Sequence, residues 1–112
     1  MNKLLFAALL AGSTTVMAQD CNMPTQPSIP SGDDVTMEVM SAAVADIKSY
    51  QADNQDFRSC IENKEAALGD DATDDQKALL TAAYNKSVEN EEQIAILFNE
   101  QLKLMKQAEA AE

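Results

Sequence analysis

From Asp33 to Leu68, and again from Asp70 to Glu112, the chain contains neither glycine nor proline. These two residues are the strongest interrupters of regular structure, so Gly69 alone divides two long uninterrupted segments. Along the first, Thr36, Met40, Ala43, Ile47, Tyr50, Asn54, Phe57, Ile61, Lys64 and Leu68 follow one another in alternating steps of four and three. Along the second, Leu80, Tyr84, Ser87, Glu91, Ile94, Phe98, Gln101, Met105 and Ala108 do the same. A repeat averaging 3.5 residues is the seam of a coiled coil, whereas a strand repeats every two. The spacing predicts an all-α fold with helices over about 34–68 and 74–110, each roughly 50 Å long at about 1.5 Å per residue.

The connection is too short for anything but an antiparallel pairing of neighbours. Gly69 suits a helix end because it reaches positive φ without a Cβ clash, and Thr73-Asp74-Asp75-Gln76 has the form of a capping box that starts the next helix. Asp70, Asp71, Asp74 and Asp75 sit where a helix N-terminus favours negative charge. They lack the alternating ligands and distal Glu of a calcium loop. With the turn centred near residue 70, facing seam positions sum to about 141. This register sets Phe57 against Tyr84, Ile61 against Leu80, Ile47 against Ile94 and small Ala43 against large Phe98. It also sets Asn54 against Ser87 and Tyr50 against Glu91, so polar seam residues meet polar partners, a device that specifies register at some cost in stability.

Residues 1–18 read as an export signal: Lys3 supplies a positive start, Leu4 to Ala11 an apolar run too short to span a bilayer, and Val16-Met17-Ala18 a small-residue cleavage site. Cleavage after Ala18 leaves 94 residues and removes one basic side chain, giving 7 basic against 19 acidic and a net charge of −12. That charge disfavours nucleic acid and anionic lipid as partners. Residues 19–33 form a proline-rich strap, in which Pro24, Pro27 and Pro30 recur every third residue and fall on one face of a polyproline II helix. Cys21 and Cys60 are the only cysteines. In an oxidising compartment they allow one intramolecular bridge, with intermolecular pairing as the alternative. The strap from Cys21 to Gly32 covers about 37 Å at 3.1 Å per residue, close to the distance along the first helix to Cys60.

The chain contains no histidine. This removes the usual general base at neutral pH and the commonest metal ligand, so no catalytic residue is assigned and no cofactor is expected. The expected action is protein contact: self-association, or binding to another envelope protein, through an exposed stripe of Leu79, Ala83, Ile96 and Leu97, without stable membrane insertion after signal cleavage. Two alternatives differ in class. Met37, Met40 and Met105 meet at the open end of the hairpin, where thioethers suit Cu(I) or Ag(I), although methionine is also a common core filler. The other is a chaperone that holds exported clients in a helix groove.

Cys21-x-x-Pro24-x-x-Pro27-x-x-Pro30-x-Gly32, followed by Ile47-Lys48-x-Tyr50 and Phe57-x-x-Cys60-Ile61, resembles a group of short exported proteobacterial proteins of unassigned function. In these a signal peptide and a proline-repeat leader precede one or two helices and a second cysteine. The similarity covers residues 21–61. It implies a periplasmic or secreted location and the Cys21–Cys60 staple, and it brings no activity.

Overall fold

The computed structural model describes residues 20–111; the signal peptide read over residues 1–18 lies outside them. Helix α1 spans Met37–Leu68, a single 3₁₀ turn spans Gly69–Asp71, and helix α2 spans Asp74–Ala111. No strand occurs among the described residues. The molecule is the expected helical hairpin, with α1 packed along α2.

Local chemistry determines where each helix begins and ends. Helix α1 starts three residues after the boundary expected from the glycine and proline pattern, because Thr36 adopts an extended conformation and its side chain accepts from the Val39 N–H at 3.2 Å. A threonine in that role satisfies a backbone donor with no intrahelical partner. The end of α1 falls at Gly69, whose φ of 52° is positive and whose N–H donates to the Glu65 carbonyl. At the start of α2 the capping box is complete: Gln76 N–H donates to Thr73 Oγ1 at 3.1 Å, and Thr73 N–H donates to Gln76 Oε1 at 2.9 Å. Asp74 and Asp75 follow in the first turn, where their charge opposes the helix dipole.

The core is a single seam. Phe57, Ile61 and Leu80 form its densest part, with Leu68, Ala83, Tyr84 and Cys21 packed against them. Met40, Ala43, Tyr50 and Ile94 continue it toward the open end. Burying such large apolar side chains contributes about 1.5–3 kcal/mol each. The seam is interrupted by Asn54 and Ser87, each 0 % exposed and bonded to the other. Residues 54 and 87 are thus level, as the register summing to 141 requires.

Residues 20–36 form neither helix nor strand. The segment returns along the hairpin, bonded to α1 through Cys21 and Cys60 near the closed end and to α2 through Gly32 and Gln101 near the open end. It therefore runs antiparallel to α1. Cys21, Pro24, Pro27, Ile29 and Pro30 are half-buried, while Asn22, Met23, Thr25, Gln26 and Ser28 between them are exposed.

Candidate functional site

Three ties hold the N-terminal segment to one side of the hairpin. The Cys21–Cys60 disulfide joins residues 39 apart in sequence, with Cα atoms 5.7 Å apart. Further along, the Asn90 side-chain amide donates to Met23 Sδ at 3.4 Å. The third tie has two hydrogen bonds: Gly32 N–H donates to Gln101 Oε1 at 3.1 Å, and Gln101 Nε2 donates to the Gly32 carbonyl at 3.2 Å. Gln101 is 4 % exposed, and Gly32 has a φ of 115°, a conformation that disfavours any side chain. Gln101 stands in the heptad seam of the sequence, yet no periodic signal identifies a backbone group 69 residues away as its partner.

Midway along the seam lies a polar network built on both helices. Ser87 Oγ donates to Asn54 Oδ1 at 2.6 Å, and Asn54 Nδ2 donates to the Ser87 carbonyl at 2.9 Å. Arg58, the only arginine of the chain, donates to Ser87 Oγ at 3.2 Å and pairs with Glu91 Oε2 at 2.7 Å. The Glu91 carboxylate also accepts from Asn54 Nδ2 at 3.4 Å. The facing of Tyr50 and Glu91 does not produce a hydrogen-bonded pair. Arg58 takes the carboxylate because its long fork reaches diagonally across the seam and neutralises the charge, which a phenol does not. The Tyr50 hydroxyl is buried without a hydrogen-bond partner, and the neighbouring Asn90 amide is directed to Met23. Burial, and then the Glu91 carboxylate, push the Tyr50 phenol above its usual range, against smaller opposing effects of Asn90 and Arg58.

The four residues of the expected contact stripe occupy different surroundings. Leu79 and Ile96 are 71 % and 55 % exposed, and Leu97 is 43 % exposed. Ala83 is half-buried against the Phe57, Ile61 and Leu80 cluster. Leu97 lines a cavity shared with Pro27, Ile29 and Pro30 of the N-terminal segment. A position on helix α2 17 residues after Leu79 is turned about 100° from it, so Ile96 projects from a different side. Of the three methionines, Met37 and Met105 line one cavity of about 520 Å³ at the open end, bordered by Asp33 and Glu109. Met40 is 1 % exposed and is not part of that lining. Among the described residues, no three Cys, Asp or Glu side chains are grouped to hold a metal ion.

On the side of the hairpin away from the N-terminal segment, a second groove of about 250 Å³ runs between the helices, with Val44, Ile47, Ala95 and Phe98 along it and Lys48 and Asn99 at its rim. No carboxylate lines it, in a chain with 19 acidic and 8 basic side chains. No helix among the described residues is long and apolar enough to cross a membrane. The fold and its ties define a disulfide-stapled helical hairpin. Compared with family models, with curated proteins and with solved structures, the chain matches none.

Proposed function

We propose that the protein is a non-catalytic module of the cell envelope, exported and trimmed after Ala18, that acts in the periplasm by protein–protein contact. The observation that carries this reading is the apolar surface the hairpin leaves open: Leu79, Ile96, Leu97 and Leu104 are all more than 40 % exposed, and a second apolar groove lies opposite the N-terminal segment. A monomer of this size gains from burying such surface against another chain. The intramolecular disulfide supports an oxidising compartment. The half-burial of Cys21, Pro24, Pro27 and Pro30 at every third position, with Ile29 half-buried beside Pro30, supports a polyproline II strap, whose role is to cover one groove and leave the other for contact.

The experiment is native mass spectrometry of protein purified from the envelope fraction. The expected species starts at Gln19, is two hydrogens lighter than the reduced chain and is bound to a second polypeptide, whether another copy or a different protein. A bare monomer with no partner at any concentration, or a species carrying copper, would sink the contact reading.

A further inference from the structure

We propose that two copies of this chain associate through the groove opposite the N-terminal segment, forming a four-helix bundle about a two-fold axis parallel to the helices; this rests on the contact reading and names its partner and face. The groove lined by Val44, Ile47, Ala95 and Phe98 is the apolar centre. Along α2 the same side continues every seven residues through Val88, Ala95 and Leu102, of which Val88 and Leu102 are half-buried and Ala95 is exposed. A heptad column that remains partly open after the hairpin has closed is the pattern of a helix awaiting another helix.

Charge selects a second copy as the occupant. A two-fold axis along the groove keeps residues at their own level and lays α1 against the partner's α2 in antiparallel sense. The outer column of α1 on this side is Ser41, Lys48, Gln55 and Glu62. The corresponding column of α2 is Ala78, Asn85, Glu92 and Asn99, and all eight residues are exposed in the single chain. Levels that sum to 140 place Lys48 opposite the partner's Glu92. Ser41 then meets the partner's Asn99, Gln55 the partner's Asn85, and Glu62 the partner's Ala78. Opposite charges meet once in each half, at Lys48 and the partner's Glu92, neutral polar residues meet neutral polar residues, and no like charges meet in this column. Neither Lys48 nor Glu92 has an ion-pair partner among the described residues of its own chain. In a surface dominated by carboxylates, a carboxylate-free groove flanked by self-complementary charges is where a second acidic copy approaches with least repulsion. Two adjacent helices, over the length of α1 from Met37 to Glu62, offer a face about 40 Å by 20 Å, or about 800 Å² per copy, the size of a standard stable interface.

The test is sedimentation velocity of the oxidised chain from Gln19 onward, over a range of concentrations. The unmodified protein is expected to dimerise. Ala95→Glu, Lys48→Glu and Glu92→Lys should each weaken the dimer by about tenfold or more, because each places a charge in the seam or sets like charges opposite each other. Mixing Lys48→Glu with Glu92→Lys should restore association, as a heterodimer in which both ionic contacts are of opposite sign; a charge effect within one chain cannot do this. Ile96→Glu, on a different side of α2, should leave the dimer intact. Circular dichroism of each variant separates lost association from lost folding. A dimer insensitive to Ala95→Glu, or the absence of rescue on mixing, overturns this face while self-association stands. A chain that stays monomeric overturns the dimer, and the contact reading then survives only if a different envelope protein is bound in the native spectrum.

Discussion

Asn54 and Ser87 sit at the middle of the hairpin, wholly enclosed, and exchange two hydrogen bonds of 2.6 and 2.9 Å. The pair satisfies itself only when residues 54 and 87 are level. A slip of one turn leaves an amide and a hydroxyl buried without partners, costing about 1–3 kcal/mol for each unsatisfied group. The pair therefore contributes to register more than to net stability, and Arg58 and Glu91 extend it toward solvent.

Replacing Asn54 with Ala should destabilise the fold by about 2–3 kcal/mol in urea unfolding, since the Ser87 hydroxyl loses its acceptor and a small cavity opens. Asn54→Leu combined with Ser87→Ala should recover much of that loss, because no polar group is then orphaned. Broadened amide spectra in the double variant, indicating several registers, would be the companion result. A double variant as unstable as the single one would show that the pair supplies stability itself.

The disulfide closes a loop between residues 39 apart. Cys60→Ser should lower unfolding free energy by about 4 kcal/mol in the chain-entropy account and should release the N-terminal end of the segment. Hydrogen exchange on residues 22–31 should then accelerate while the α1 and α2 amides around Asn54 stay protected. Equal melting temperatures for oxidised and reduced protein would contradict this.

At the other end of the segment, Gly32→Ala forces a side chain onto a φ of 115° and should cost about 1–3 kcal/mol, even though a Cβ there has open space around it. Gln101→Leu removes both bonds to Gly32 and should loosen residues 29–36 without altering helix content. A crystal structure of Gln101→Leu with the Gly32 loop unmoved would show that the disulfide and the Asn90–Met23 contact hold the segment without it.

Tyr50 carries a pH response. Its phenol is pushed above 10 in the folded chain, mainly by burial and then by Glu91, while the unfolded chain ionises near 10. Below that value both states are neutral and the contribution to stability is fully present; as pH rises past 10 toward the folded value, the unfolded state sheds its proton first and stability falls. Tyr50→Phe deletes a hydroxyl without a partner, so it should be neutral or stabilising by up to about 1 kcal/mol at pH 7 and should flatten the loss of stability above pH 10. Unfolding midpoints of the two proteins between pH 7 and 11.5 provide the measurement, and parallel curves would refute the assignment.

The heptad spacing, the two caps around Gly69 and the level pairing of Asn54 with Ser87 are all legible in the amino-acid order. Each depends on residues a few positions apart or on one repeat shared by two helices, so local preference and hydrophobic phase suffice to determine them. The closeness of Cys21 to Cys60 follows in the same way from two element lengths. The Thr36 cap was the exception near a boundary, because the absence of glycine and proline marks where a helix can run and not where its first turn is satisfied.

Beyond Asn54 and Ser87, the tertiary structure alone decided which polar groups meet. Arg58 claims Glu91 from Tyr50, Asn90 is directed to Met23, and Gln101 grips the backbone of Gly32. These contacts depend on side-chain reach and on how the N-terminal segment lies across two helices, and neither is written in the spacing of the residues. The surface was decided in the same way: Ala83 was drawn into the core and Leu97 toward the N-terminal segment, while the groove of Val44, Ile47, Ala95 and Phe98 stayed open on the side away from it. A helix sequence states that an apolar face exists; which part of that face stays exposed is settled only when the neighbouring elements have taken their places.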